Sequence, residues 1–217
     1  MKKQNINLLI VDDQQMIRYG IRWMLEKTES QFEFTIHEVE NAAEAIIMVA
    51  NNRFDIILMD YSLHNIVIGA DCVIEILSTK PQSKILAISN HRDYIYLKNM
   101  IDAGAKGYVL KNILSRELIQ AIENILSGQE YFSYDVAMNF LKHREYKIIQ
   151  PEQSIKLKKR ELEILELIAE EYTNDEIAVK LFLAKATINE YRQSLLFKFE
   201  AKNTAGLIRK ASKLKMI

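Results

Sequence analysis

Residues 55–63 read DIILMDYSL, in which a short apolar run is followed directly by Asp60. An apolar run of this length, bounded by polar residues, is typical of a strand that is buried on both faces of a parallel sheet. Residues 8–13, LLIVDD, repeat the arrangement, with Asp12 and Asp13 after the apolar run. The two stretches therefore predict buried parallel strands whose carboxyl ends carry carboxylates.

Over the first 127 residues, strand-like runs alternate with stretches of helical spacing. Strands are predicted at Ile6–Val11, Phe34–Val39, Phe54–Met59, Lys84–Ile88 and Gly107–Leu110. The helical stretches lie between and after them, at 16–27, 42–51, 70–78, 94–103 and 115–126. Strands that alternate with helices form a parallel sheet wrapped on both faces. The predicted fold class is α/β, with a doubly wound five-stranded parallel sheet.

The strand signal does not return after residue 127. Gly128, Pro151 and mixed polar residues predict a linker over 128–153, with one short helix near 134–142. Residues 154–217 show only helical spacing, which predicts a small all-α domain, with Asn174 as the cap of its second helix. Its four predicted helices are Lys158–Glu171, Asn174–Phe182, Lys185–Phe199 and Thr204–Leu214.

The composition is that of a soluble globular protein. The chain has 217 residues, 49% of them hydrophobic and 27% charged, which is enough for two domains. No apolar stretch approaches the roughly 18 residues of a membrane span, and the apolar run after Met1-Lys2-Lys3 is too short for a secretory leader. Cys72 stands alone, so no internal disulfide can form. These features predict a cytoplasmic protein without a membrane partner.

The net charge of zero conceals a small asymmetry along the chain. Up to Gly128 there are 13 Lys and Arg against 16 Asp and Glu, and after it there are 16 against 13. The difference suits an acidic module followed by a weakly basic one. By itself it does not establish nucleic-acid binding.

The three strand-end carboxylates are expected to meet, because ligands of parallel α/β sheets bind at the carboxyl ends of the strands. Asp12, Asp13 and Asp60 would repel one another unless a cation joined them. Oxygen ligands of this kind predict Mg²⁺, which proteins hold with a few carboxylates, waters and phosphate. Any one of these aspartates taken alone is as well explained as a solvated loop residue, but three at one edge favour a site.

Two more strand ends point to the same edge of the sheet. Ser89 follows the fourth predicted strand and Lys111 follows the fifth. A hydroxyl and an ammonium beside carboxylates and a metal form a cradle for a phosphoryl group. The predicted chemistry is that Asp60 accepts a phosphoryl group as an acyl phosphate, while Lys111 and Ser89 contact that group.

Four motifs in order, LLIVDDQQMIR, DIILMDYSL, LAISN and GAKGYVLK, resemble the receiver domain of two-component response regulators, a flavodoxin-like fold. The resemblance covers residues 1–127. It implies that the acidic pair is Asp12 and Asp13, the phosphoacceptor Asp60, the switch hydroxyl Ser89 and the lysine Lys111. It further implies a switch aromatic at Tyr108 and a metal-binding backbone carbonyl at Ser62. Tyr108 taken alone is better explained as a half-buried strand residue.

The segment after Asp60 departs from the family pattern. Many receivers have a Met-Pro pair there and a glycine a few residues on, whereas residues 61–69 lack proline and are slightly longer. This loop borders the predicted phosphorylation site. We therefore expect it to affect the lifetime of the phosphoryl group and the fit of the kinase. His64 in this loop is expected to be solvated rather than a metal ligand or proton donor.

In the helical region, two helices joined at Phe182-Leu183-Ala184 read as a helix-turn-helix. The second helix has Ile188, Tyr191, Leu195 and Phe199 on its inner stripe, and its outward residues are Lys185, Thr187, Asn189, Glu190, Arg192 and Gln193. Such side chains read base edges and bind phosphates. A polar helix face taken alone is more often simply a solvated face.

Residues 157–208, LKKRELEILELIAEEYTNDEIAVKLFLAKATINEYRQSLLFKFEAKNTAGLI, are similar to the LuxR-type DNA-binding domain of NarL/FixJ response regulators. The resemblance implies a recognition helix from Thr187 to Phe199 and dimer contacts from the last helix. Where the family often has a basic residue and a histidine, this chain has Asn189 and Tyr191, with Glu190 between them, so a different target sequence is expected. Residues 158–160, Lys-Lys-Arg, are either phosphate contacts or a solvated charge run.

The predicted function is a phosphorylation-controlled transcriptional regulator, not an enzyme with its own substrate. Its expected partners are a sensor histidine kinase, promoter DNA and, when phosphorylated, a second copy of the chain. One alternative is an atypical regulator that binds DNA without phosphorylation. The other is a phosphatase with an aspartyl-phosphate intermediate, which would need a substrate pocket that four small helices do not provide.

Overall fold

The structure is a computed structural model that describes residues 3–63, 67–149, 155, 157–199, 201 and 203–217. It contains two compact units, Met1–Lys147 and Ile148–Ile217. The strands are β1 (Gln4–Val11), β2 (Phe32–Val39), β3 (Ile56–Asp60), β4 (Ser62–Leu63), β5 (Val67–Ile68), β6 (Ile85–Ser89), β7 (Gly107–Leu110) and β8 (Tyr131–Phe132). The helices are α1 (Gln15–Lys27), α2 (Ala42–Asn51), α3 (Gly69–Thr79), α4 (Tyr94–Asp102), α5 (Ser115–Leu126), α6 (Tyr134–Ile149), α7 (Lys159–Ala169), α8 (Asn174–Leu181), α9 (Lys185–Lys198) and α10 (Thr204–Lys213).

The first unit is built on a parallel sheet with the strand order β2-β1-β3-β6-β7-β8. The chain order reverses at β1, which lies between β2 and β3, and this reversal is the switch point where doubly wound sheets place their sites. Because β1 and β3 are direct neighbours, Asp12 and Asp13 after β1 come close to Asp60 at the end of β3. The predicted doubly wound α/β class is confirmed.

The core of the first unit consists of the buried strands and the apolar faces of the flanking helices. One face of the sheet packs against α1 and α5, with Leu8, Leu58 and Ile122 fully enclosed. Helix α3 contacts both α2 and α4. The buried strands β3 and β6 have no exposed residue, which explains their continuous apolar sequence.

The predicted strand number of five is wrong, because a sixth strand, β8, pairs in parallel with β7. Gly107 makes this pairing possible: a Cβ at that position would lie 2.5 Å from the carbonyl oxygen of Tyr131. Strand β8 and all of α6 lie in the region 128–153, where the sequence predicted a linker, and α6 is longer than the predicted helix near 134–142. The domain boundaries themselves stay a prediction.

The second unit buries a separate core between helices α7 to α10. Ile164, Ile177, Ile188 and Leu195 are enclosed completely there. Glu161 is also buried, and its carboxylate accepts hydrogen bonds from the backbone N–H of Lys158 at 2.8 Å, from the hydroxyl of Ser194 at 3.2 Å and from Nζ of Lys198 at 2.6 Å. This charged cluster connects the start of α7 to α9.

Helix α8 is capped by the residue before the predicted one. The hydroxyl of Thr173 accepts a hydrogen bond from the backbone N–H of Glu176, and the Glu176 carboxylate accepts one from the N–H of Thr173. This reciprocal pair is a capping box. Asn174, the predicted cap, is instead the first helical residue.

Cys72 lies on the buried face of α3 and is 1% exposed. Its Sγ is 3.9 Å from the carbonyl oxygen of Ala42 on α2. Burial, with smaller contributions from the nearby carboxylates of Glu75 and Asp71, raises the pKa of this thiol to about 12. The cysteine therefore stays a protonated core residue at neutral pH.

Within the described ranges, no helix combines the length and the apolar character that crossing a membrane requires.

The turn of the helix-turn-helix provides a test of backbone strain. Phe182 ends α8 with φ 54° and ψ 44°, a left-handed conformation that costs a residue other than glycine about 1–2 kcal/mol. Its side chain is 95% exposed, so removing it loses little packing. Phe182→Gly should therefore stabilise the second unit by about 0.5–1 kcal/mol. Amide hydrogen exchange of α8 and α9 should become slower.

The matched control is Val179→Gly, which removes another exposed apolar side chain, at a position inside α8. That change should destabilise the helix by about 0.5 kcal/mol, because glycine is a poor helix former. Faster exchange in Phe182→Gly than in the wild type would contradict the interpretation of the turn.

Candidate phosphoryl-transfer and DNA-binding sites

Three carboxylates meet at the carboxyl edge of the sheet, as the sequence predicts. Asp12, Asp13 and Asp60 each have an oxygen within 4.8 Å of the others. Nζ of Lys111 lies 2.8 Å from Oδ2 of Asp60 and 2.8 Å from Oδ2 of Asp12. Asp12, Asp60 and Lys111 all have side chains less than 5% exposed. The ammonium therefore bridges two buried carboxylates.

The electrostatics of the cluster are unbalanced, with one lysine facing three aspartates. Burial and then the neighbouring charge of Asp12 raise the pKa of Asp60 to about 7, although Lys111 acts in the opposite direction. For Lys111, burial lowers the pKa, but the two carboxylates outweigh it and the net shift is upward. Lys111 is therefore charged at neutral pH, and the site favours additional positive charge.

The backbone around the carboxylates fixes their positions. Oδ1 of Asp12 accepts a hydrogen bond from the N–H of Gln14 at 2.8 Å, and the Asp12 carbonyl accepts one from Nη1 of Arg18 at 2.7 Å. On the other strand, the N–H of Gly69 donates to the carbonyl of Tyr61 at 2.7 Å. A Cβ at Gly69 would lie 2.0 Å from the carbonyl oxygen of Asp60, so only glycine fits beside this aspartate.

The segment after Asp60 forms a small antiparallel ladder in which β4 pairs with β5. The backbone N–H of Ser62 donates a hydrogen bond to the Asp60 carboxylate, and this bond favours the ionised form. His64 lies outside the described residues. Tyr61 is buried, and its hydroxyl accepts a hydrogen bond from Nδ2 of Asn99 at 3.1 Å.

The two predicted switch residues are both completely buried. The hydroxyl of Ser89 accepts a hydrogen bond from the N–H of His91 at 3.1 Å. The hydroxyl of Tyr108 donates to the His91 carbonyl at 2.9 Å and also lies within hydrogen-bonding reach of Ser89. Burial raises the pKa of Tyr108, which therefore stays a neutral phenol. Tyr108 is more enclosed than the half-buried strand residue that its sequence position alone suggests.

An aromatic cluster beside Asp60 was not predicted from the sequence. The rings of Tyr61 and Tyr96 meet edge to face with centroids 4.9 Å apart, and the ring of His91 stacks on Tyr96 at 4.1 Å. Tyr61 follows Asp60 directly, and His91 follows Ser89 by two residues. The sequence does show a tyrosine or a histidine just after each of these strand ends. It does not show that both rings contact Tyr96, because that contact depends on the position of α4.

In the second unit, the predicted DNA-contacting residues lie on α9, with different degrees of exposure. Lys185 is exposed and forms an ion pair with Asp175 at 2.7 Å. Asn189 accepts a hydrogen bond from Nδ2 of Asn174 on α8. Thr187, Glu190 and Gln193 are half-buried. The predicted inner stripe of α9 does pack against the core of this unit.

Arg192 is directed toward its own unit, although the sequence predicted an outward side chain. Its Nη2 donates a hydrogen bond at 2.9 Å to the carbonyl of Tyr172, in the turn between α7 and α8. Its Nε is buried, and burial lowers the pKa of the guanidinium. Helical spacing predicts which side of α9 carries Arg192. It does not predict that the carbonyl of Tyr172 lies within reach of that side chain. In this conformation Arg192 connects α9 to the turn.

The basic run 158–160 is partly used by the fold. Arg160 pairs with Glu163 at 2.8 Å, and its Nη2 donates to the carbonyl of Leu181 at 2.7 Å. Lys158 is exposed. The sequence left phosphate contacts and a solvated charge run open for these residues, and the internal contacts of Arg160 are a structural role outside both explanations.

The carboxylate cluster has the donor set of a site for a small divalent cation. It offers hard oxygen ligands close together, with positive charge in deficit, and these are the conditions in which proteins bind such ions. No other described group of three or more His, Cys, Asp or Glu side chains has this geometry.

Family models match both units of the chain. The response regulator receiver domain matches residues 8–123, and the bacterial regulatory proteins of the luxR family match residues 156–211. Together, the fold and the carboxylate edge define a two-domain signalling protein with an α/β input module and a helix-turn-helix output module. The chain belongs to the response regulators that join a receiver domain to a LuxR-type DNA-binding domain, and both resemblances found in the sequence are confirmed.

Individual proteins are similar to this chain over all or part of its length. Oxygen regulatory protein NreC of Staphylococcus carnosus is 30% identical over 220 residues, covering 98% of this chain and 99% of that protein. A two-component response regulator of the LuxR family from Aurantimonas sp. SI85-9A1 is 29% identical, with a TM-score of 0.61 over 65% of this chain and 99% of its own. RcsB from Salmonella enterica serovar Typhimurium, bound to promoter P1flhDC in the presence of the phosphomimetic BeF₃⁻, has a TM-score of 0.60 at 23% identity, over 97% and 100% of the two chains.

The crowding of carboxylates predicts a stability gain on removing one charge. The folded-state pKa of Asp60, about 7, lies above its ordinary value of 3.8. Between these values the folded chain keeps a proton that the unfolded chain has released, so Asp60 lowers stability progressively as the pH rises from about 4 to about 7. Asp60→Asn should therefore raise Tm in EDTA by about 2–6 °C at pH 8, and by less at pH 5.

Thermal unfolding of both proteins at pH 5, 6, 7 and 8, followed by circular dichroism, measures this difference. Asp71→Asn is the control, because it makes the same change at an exposed position in the first turn of α3. A gain from Asp60→Asn that is the same at every pH, or a loss at pH 8, would argue against charge crowding at this edge.

Proposed function

We propose that this response regulator is controlled by phosphorylation of Asp60 and binds promoter DNA through α9. The observation that carries the proposal is the position of Asp60, which lies beside two further carboxylates and 2.8 Å from the ammonium of Lys111. A nucleophile held next to a cation and a metal-type donor set is equipped to accept a phosphoryl group.

In the proposed reaction, a carboxylate oxygen of Asp60 attacks the phosphorus of a phosphohistidine on a sensor histidine kinase. A P–O bond forms and the P–N bond breaks, so that Asp60 becomes an acyl phosphate and the released imidazole nitrogen takes a proton from water. Lys111 pairs with the transferred group, and the hydroxyl of Ser89 donates a hydrogen bond to it. The hydrogen bond from the Ser62 N–H orients the attacking carboxylate.

The proposed cofactor is Mg²⁺, held by Asp12, Asp13, Asp60 and the backbone carbonyl of Ser62. When bound, the ion offsets the negative charge on the transferring oxygens. The donor set of three clustered carboxylates supports this assignment. Lys111 alone does not neutralise the three carboxylates, so the site attracts this cation before the phosphoryl group arrives.

The output step is proposed to be binding of a dimer to double-stranded promoter DNA. Helix α9 would enter the major groove, with Asn189 and Gln193 one helical turn apart facing the bases. Glu190 could accept a hydrogen bond from cytosine N4, and Thr187 and Lys185 would contact the backbone. RcsB, which has a similar fold, was solved bound to promoter P1flhDC in the presence of the phosphomimetic BeF₃⁻, a combination that agrees with this proposal.

The phosphorylation step is tested with acetyl phosphate and Mg²⁺, followed by intact-mass measurement. Wild type should gain the mass of one phosphoryl group, Asp60→Asn none, and Asp13→Asn should react at least about tenfold more slowly because a charged metal ligand is lost. Asp13→Asn should also lose most of the rise in Tm that Mg²⁺ gives the wild type.

Asp55→Asn is the matched control, since Asp55 precedes the same strand at its opposite end. It should react like the wild type. A full phosphoryl adduct on Asp60→Asn would remove Asp60 from its role. An unreactive wild type that nevertheless binds DNA tightly would favour the alternative of a regulator that works without phosphorylation.

The DNA interface is tested on an operator selected from random duplexes by the phosphorylated protein. Asn189→Ala and Gln193→Ala should each weaken binding to that operator by roughly 1–3 kcal/mol and change binding to scrambled DNA little. Lys185→Ala should weaken both about equally and reduce the slope of log affinity against log salt by about one. The operator should be an inverted repeat with half-sites roughly 34–36 Å apart.

Fluorescence anisotropy at several salt concentrations gives these values. Lys106→Ala, at an exposed lysine of the receiver domain, serves as the control and should change neither affinity nor slope. Equal losses on operator and scrambled DNA for Asn189→Ala and Gln193→Ala would show that α9 does not read bases.

A further inference from the structure

Residues 131–141, which comprise strand β8, Ser133 and the first part of α6 and are here called the linker latch, are attached to the strand that carries Tyr108. The backbone N–H of Ser133 donates to the Tyr108 carbonyl at 3.2 Å, and that of Tyr131 donates to the Lys106 carbonyl at 3.2 Å. The missing side chain of Gly107 allows this close approach. The segment that leaves the receiver domain is therefore hydrogen-bonded to the backbone of the switch residue itself.

The linker latch is also attached to the loop between β6 and α4. Nδ2 of Asn139 donates to the carbonyl of Arg92 at 2.6 Å. The ring of Phe140 contacts that of Tyr94 with centroids 5.5 Å apart. Val136 on the same helix is 1% exposed. The contacts of Asn139 and Phe140 thus end on Arg92, in the loop, and on Tyr94, the first residue of α4.

The same loop is held from its inner side by the switch hydroxyls. His91, the residue before Arg92, receives a hydrogen bond from the hydroxyl of Tyr108 at its carbonyl, and its N–H donates to the hydroxyl of Ser89. Residues 91 and 92 thus connect the switch residues on one side to Asn139 on the other. The backbone to which α6 is attached is therefore hydrogen-bonded directly to both Ser89 and Tyr108.

We propose that the linker latch senses the state of the phosphorylation site and is loosened when Ser89 turns toward a phosphoryl group on Asp60. Rotation of the Ser89 side chain displaces the oxygen to which His91 is bonded, the loop shifts, and the contacts of Asn139 and Phe140 weaken. Helix α6 ends at Ile149, and the second unit begins at Ile148, so the change reaches the output unit along the chain. The triggering step rests on the proposed function, whereas the mechanical connection rests on the contacts alone.

The experiment is hydrogen–deuterium exchange by mass spectrometry on the full chain, comparing peptides from α6 with peptides from α2. Tyr108→Phe removes only the hydroxyl that holds the loop from inside, and Asn139→Ala removes the bond from outside. Each should speed α6 exchange by roughly fivefold, the effect of one hydrogen bond. Wild type treated with acetyl phosphate and Mg²⁺ should show faster α6 exchange as well.

The matched control is Asn51→Ala, which removes a similar bond to a carbonyl, that of Ile47 at 2.9 Å, at the end of α2. It should leave α6 unchanged. Unchanged α6 exchange in Tyr108→Phe would overturn the proposal, and so would unchanged exchange in wild type whose phosphoryl adduct is confirmed by mass. If no adduct forms, the proposed phosphorylation fails, and the Tyr108→Phe and Asn139→Ala results alone decide whether the mechanical connection exists.

Discussion

A single ammonium group, that of Lys111, holds two buried carboxylates together, and the geometry of the carboxyl edge depends on it. Charges removed from water are tolerated only when opposite charges or hydrogen bonds compensate them. Here one cation compensates three aspartates incompletely, since the pKa of Asp60 is raised to about 7 despite the contact. The edge is therefore stable enough to fold but retains a negative surplus. That surplus favours the addition of positive charge at this edge.

The positions of these charged side chains depend on the sheet and on two places where one backbone segment lies close to another. Neighbouring strands β1 and β3 fix the spacing of the carboxylates, and Gly69 allows the chain to pass against the carbonyl of Asp60. Gly107 does the same for the sixth strand, next to Tyr108. In both places the absence of a side chain lets one backbone approach another next to a residue with a proposed role. The carboxylate cluster and the segment after the receiver domain thus both depend on a glycine that leaves room for a second backbone segment.

The sequence was sufficient to predict features that repeat or that end a strand, and insufficient for those that depend on one tertiary contact. Short β-rich runs predicted five strands and placed Asp12, Asp60, Ser89 and Lys111 at one edge. Strand β8 has two residues, too few to show any period, and its pairing depends on space above Gly107. The inward bond of Arg192 was missed because its acceptor, the carbonyl of Tyr172, lies on another element. Thr173 and Asn174 are both good capping residues, so the sequence alone did not distinguish them.

The enclosed position of Cys72 has a practical consequence for studying the motions of this protein. The chain has one cysteine, it is 1% exposed, and its thiol stays protonated well above neutral pH. Thiol reagents react with exposed thiolates, so the native chain is a silent background for them. A cysteine introduced on a surface of either unit would carry a fluorophore or spin label at a defined place without first removing the natural one. Distances between such labels could then be followed while the regulator changes state.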